Sequence, residues 1–146
     1  MALQALGAED SIRRGALVIW MQFGSLCLCL AGAEMLHGIA RAKWLVPRIG
    51  KERALKLSAL TGALLAFLVC WFFVPALGLR SAAAHGLLGL GLAVFMASFD
   101  VAVARFAMRR PWSKIWPDFN PGSGNYLLFG LLALTLIPLA IWWLRG

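Results

Sequence analysis

Four stretches of the chain are almost wholly apolar, and polar residues gather in the segments between them. The runs cover residues 15–38, 57–79, 82–104 and 125–144. Crossing a hydrocarbon core about 30 Å thick takes roughly 20 apolar helical residues, and each run meets that length. The runs show no alternation of period 2 and are too long for tilted strands, which excludes a transmembrane barrel. The pattern predicts an all-α, four-helix transmembrane bundle, with residues 1–146 forming a single membrane domain. No cleavable signal peptide is expected, because the first run is longer than a signal core and lacks a small-x-small site at its end. Nor is a lipidation box present at either terminus.

The runs pair into two similar hairpins. Arg41 is followed six residues later by Pro47, and Arg105 by Pro111. Each of these arginines follows a helix that carries a carboxylate, and each second helix has a late proline, Pro75 or Pro138. Duplication of a two-helix unit would produce this pattern. Residues 47–56 read as a turn followed by a basic helical start. Residues 111–124 are rich in breakers and aromatics, and Asp118, Asn120 and the closing Gly-Ser-Gly suit a polar turn capping the fourth helix. Small residues recur where helices would meet. Ala82 and Gly86 in the third helix, and Cys27 and Ala31 in the first, have small-xxx-small spacing.

Composition agrees with this layout: 62% of residues are hydrophobic and the mean hydropathy is +0.81. The net charge of +8 changes the picture through its placement. Of fourteen cationic side chains, ten lie in residues 39–56 and 105–124. The positive-inside rule then puts both long loops in the cytoplasm, with both termini and the 80–81 turn outside. Flanking charge of this kind accounts for the basicity without a nucleic-acid partner. Trp44, Trp112 and Trp116 fall at one expected interface and Trp142 and Trp143 at the other, where tryptophan rings anchor helices. The three cysteines, Cys27, Cys29 and Cys70, all lie within apolar runs and read as unpaired packing residues. Cys27 and Cys29 are two apart, so on a helix they face away from each other.

The candidate chemistry lies in polar residues inside the apolar runs. A charge near mid-membrane costs at least about 2.5–3.5 kcal/mol, so it faces the bundle interior or finds a partner. Glu34 and Asp100 are the two such carboxylates. Glu34, His37, Gly38 and Arg41 follow one another at i, i+3, i+4 and i+7 along one helical face. With Asp100 and Arg105 they are expected to form a polar cluster of two acids, two arginines and a histidine, either structural or ligand-binding. Glu-x-x-His is also di-metal spacing, yet such bundles use four carboxylates and two histidines, so neither metal nor cofactor is expected. A nucleophile triad, a phosphate loop and a dinucleotide-binding strand are all missing, which points away from an enzyme.

The segment Glu34-Met-Leu-His-Gly38, Arg41 and Leu45-Val-Pro-Arg-Ile-Gly50, with the later Phe99-Asp100, Arg105, Trp112, Ile115 and Asp118, resembles a group of small four-helix bacterial membrane proteins of unassigned function. The resemblance spans residues 34–120. It implies the four-helix layout and a bacterial cytoplasmic (inner) membrane, and no particular activity. The leading expectation is a non-catalytic accessory subunit or assembly factor that docks to other membrane subunits or forms a homo-oligomer. The alternative is a small transporter or a ligand- or lipid-binding membrane protein using the Glu34–His37–Arg41–Asp100–Arg105 cluster.

Overall fold

The computed structural model describes Met1 and residues 3–146, and no strand occurs among them. Its elements are α1 (Ala2–Ala40), a wide π turn (Arg41–Leu45), α2 (Val46–Ile49), α3 (Lys51–Phe73), α4 (Ala82–Ala102), a second π turn (Val103–Ala107), α5 (Trp112–Ile115) and α6 (Leu127–Arg145). Four helical runs are long and apolar enough to cross a membrane: Leu3–Ile49, Lys51–Leu77, Ala82–Ala107 and Leu127–Arg145. The four expected helices are therefore present, with shifted ends.

The first helix differs most from its expected bounds. It starts near the N-terminus instead of at residue 15, and it continues to Ile49 instead of ending at residue 38. Pro47 does not stop it. Proline lacks an N–H and normally breaks the i→i−4 ladder. Here the preceding turn is widened, and the Val46 N–H donates to the Arg41 carbonyl five residues back. A widened turn takes up one extra residue and lets the helix pass the proline. The break falls at Gly50, whose φ of 83° is open to glycine and strained for other residues. The connection expected over residues 39–56 thus shrinks to one glycine. At the other end, Gly78 adopts a left-handed conformation and Ser81 caps α4, its hydroxyl accepting the Ala84 N–H at 3.1 Å.

Packing follows the two hairpins. α1 lies against α3 and α4, and α6 against the same two, so α1 faces α6 and α3 faces α4 across the diagonals. On α3 the buried residues are Ala54, Ser58, Gly62, Ala66 and Cys70, one small side chain at every fourth position. This strip lets α1 and α6 approach closely. The tightest approach is between α4 and α6, where a Cβ on Gly89 would lie 2.1 Å from the Thr135 carbonyl oxygen. The expected close contact at Ala82 and Gly86 is not made; Ala82 is exposed and a Cβ on Gly86 meets nothing within 4 Å. Cys27 and Ala31 are both buried, as their spacing predicts.

The core fills only one half of the bundle. Leu26, Leu30, Val74, Leu92, Ile137 and Ile141 close-pack in the half nearer the chain termini. His85 is buried there, with its Nδ1 2.8 Å from the Ser81 carbonyl and its ring 5.1 Å from that of Trp142. Trp142 thus turns inward, while Trp143 stays exposed. Arg145 ties the last turn of α6 to α3, donating to the Trp71 carbonyl at 2.9 Å with its guanidinium 4.2 Å from that indole. The other half, near the π turns, is open.

Candidate functional site

The open half holds a cavity of about 600 Å³. Its walls come from all four long helices because the small strip on α3 leaves space where bulkier residues would fill it. Leu30, Ala66, Met96 and Leu134 form the inner end. Moving toward the π turns, the lining becomes polar with Glu34, His37 and Arg41 from α1, Ser58 from α3 and Asp100 from α4. The segment after α4 folds across the mouth, contributing Arg110, Asp118 and the buried Ile115. An ion pair holds that cover: Arg110 Nη1 donates to Asp118 Oδ2 at 2.6 Å, and Nη2 donates to the Lys114 carbonyl at 2.9 Å. Arg109, just before it, has φ of 52°, a left-handed conformation that costs a non-glycine residue about 1–2 kcal/mol. That kink reverses the chain after the π turn and aims Arg110 back at the bundle.

Glu34 and His37 share a face of α1, with Glu34 Oε2 3.8 Å from His37 Nδ1. Gly62 on α3 makes room for both; a Cβ there would lie 3.4 Å from Glu34 Oε2 and 3.5 Å from His37 Cε1. His37 Nε2 is 2.8 Å from Thr61 Oγ1. The Thr61 hydroxyl has the Leu57 carbonyl at 3.1 Å and the Ser58 carbonyl at 3.4 Å within reach. We assign its proton to that pair, so that Thr61 accepts from His37 and the neutral ring carries its proton on Nε2. Nδ1, facing Glu34, then presents a lone pair.

Of the five residues expected to cluster, Glu34, His37, Arg41 and Asp100 line the cavity together. Arg105 does not, and its guanidinium lies 5.8 Å from the Trp112 ring instead. Among the described residues, neither Glu34 nor Asp100 has an arginine nitrogen within 4.0 Å. Arg41 donates to Ser58 at 3.4 Å. Sequence reasoning missed Ser58, Thr61, Gly62 and Arg110, and read Asp118 only as part of a capping turn. The four-residue repeat of small residues from Ala54 to Cys70 was the available signal for the first and third.

The tryptophans near this end lie outside the cavity. Trp44, Trp112 and Trp116 are exposed, and the last two stack at 6.3 Å. Cys27, Cys29 and Cys70 are all free thiols, Cys29 facing outward. No group of three His, Cys, Asp or Glu side chains converges to hold a metal among the described residues. Comparisons with protein-family models, curated proteins and solved structures found no match.

Proposed function

We propose that this chain is a multi-pass membrane protein that binds a small ligand with a polar head and an apolar body in the cavity between its four helices. One observation carries the reading: half the bundle interior is close-packed, while the other half holds an open cavity of about 600 Å³ whose lining includes Glu34, His37, Arg41 and Asp100. A bundle needing only to pack would fill that space with side chains, since charges at membrane depth are costly and voids forfeit contacts. Apolar walls with a few convergent polar groups are the usual form of a small-molecule site. The resemblance to small bacterial membrane proteins supports a bacterial cytoplasmic membrane as its location.

Docking to a larger membrane complex is the second reading, favoured by a separate observation. The helical run Leu3–Ile49 has 47 residues, and from residue 3 to Met21 every side chain is exposed. At about 1.5 Å per residue the run is about 70 Å long, over twice the thickness of a hydrocarbon core. Its free half could lie along another subunit. Extraction in a mild detergent followed by native mass spectrometry separates the readings. The first expects the chain alone or as a small homo-oligomer, carrying a small-molecule adduct that is lost in Asp100→Asn. The second expects a stoichiometric assembly with other proteins and no adduct.

A further inference from the structure

The cavity lining carries more acids than arginines: Glu34, Asp100 and Asp118 against Arg41 and Arg110. Arg110 is paired with Asp118 at the mouth. Arg41 is turned to Ser58 on α3. Arg105 lies against Trp112 outside the lining, and Arg48, beside His37 and Arg41 in a smaller pocket, is outside it too. Deeper in the cavity, two acceptors face each other with no donor between them. The bare Nδ1 of His37 is 3.8 Å from Glu34 Oε2, too far for a direct hydrogen bond. An N–H group placed beside both would satisfy them. A metal ion fits less well, since no three metal-ligating side chains converge among the described residues. The walls beyond the acids, at Ala66, Met96 and Leu134, are apolar.

We infer that the ligand of this cavity is a protonated amine on a compact apolar body, its ammonium seated between Glu34 Oε2 and His37 Nδ1, with the Asp100 carboxylate on the same cavity wall adding to the attraction, and its body against Ala66, Met96 and Leu134. The inference rests on the reading of the cavity as a ligand site and adds the ligand's charge. Glu34 and Asp100 would be binding residues. Thr61 would be a positioning residue that keeps the Nδ1 lone pair toward the ligand.

Three probes with the same hydrocarbon cage separate the two claims: 1-adamantylamine, 1-adamantanemethanol and 1-adamantanecarboxylate. Each is titrated calorimetrically into the full chain in a neutral detergent at pH 7. The amine should bind about tenfold or more tightly than the alcohol, as expected for a charge-assisted hydrogen bond in a shielded site. The carboxylate should bind weakest. Glu34→Gln and Asp100→Asn should each remove the preference for the amine over the alcohol. Thr61→Val should lower amine affinity alone. Equal or tighter binding of the alcohol or the carboxylate to the natural chain overturns the cation while the cavity stands as a site. Binding of none of the three removes the cavity reading as well. Because the comparison on the natural chain needs no variant, a variant that fails to fold leaves the test decisive. Amine preference persisting in both acid variants overturns the assignment to those residues.

Discussion

Arg110 and Asp118 show what a single contact does in this fold. Their 2.6 Å ion pair closes the cover over the cavity, and both side chains are about one-third exposed. Water screens a pair at that exposure, so its contribution to stability is modest, about 1 kcal/mol or less. Asp118→Asn should therefore lower the unfolding midpoint only slightly while loosening the segment between the second π turn and α6. Faster hydrogen exchange across residues 108–124, with exchange in α3 and α6 unchanged, is the expected result. Global acceleration would show that the pair supports the whole fold. The pair was not legible in the sequence, because eight residues and several breakers separate its members. Glu34 and Asp100 were legible, since acids inside apolar runs must face something polar. The misplaced residue, Arg105, illustrates a geometric limit. At about 100° per residue, Arg41 lies seven positions after Glu34 and returns to nearly the same face, whereas Arg105 lies five after Asp100 and points about 140° away. The π turn at Val103–Ala107 alters the direction further.

At the scale of elements, small side chains set where the helices meet. Gly89 touches the backbone of α6 so closely that an added methyl cannot be accommodated by a side-chain shift. Gly89→Ala should force α4 and α6 apart and destabilise the bundle by about 1–3 kcal/mol, the usual range for overpacking. Gly86→Ala is the matched control, because open space surrounds it; it should be neutral or slightly stabilising through better helix propensity. Denaturant titration of both variants in mixed micelles checks the contrast, and equal losses would mean that the α4–α6 contact is not where the geometry puts it. The sequence made the helices legible as four apolar runs, but it misplaced their ends. Residues 47–56 read as a turn, and nothing in the residue order announces the wide turn at Arg41–Leu45 that carries the helix past Pro47. Hydropathy likewise does not register residues 3–14 as helix, because those residues are mixed in polarity and their side chains are exposed.

At the scale of the whole molecule, charge placement implies an orientation that geometry leaves open. Ten of fourteen cations fall in the two basic segments, so the cavity mouth should face the cytoplasm. In intact cells, a cysteine placed at Ser113 should resist a membrane-impermeant thiol reagent and one placed at Ser81 should react; the reverse labelling would invert the orientation. Cys27, Cys29 and Cys70 form no disulfide. Replacing all three by alanine should therefore cost little and leave a background for single-cysteine probes. That background allows the most direct test of the central claim, that a membrane-embedded bundle holds a water-accessible cavity between its helices. Ala63 lines the cavity, while the neighbouring Leu64 is exposed on the outside of α3. The thiolate, which forms in water and not in hydrocarbon, is the nucleophile that attacks the reagent's sulfur and expels sulfinate. The measurement is the rate at which a small water-soluble methanethiosulfonate modifies Ala63→Cys and Leu64→Cys in lipid bilayers. Rapid modification at position 63 with position 64 inert is the expected result, and an inert position 63 beside a reactive position 64 would contradict the account.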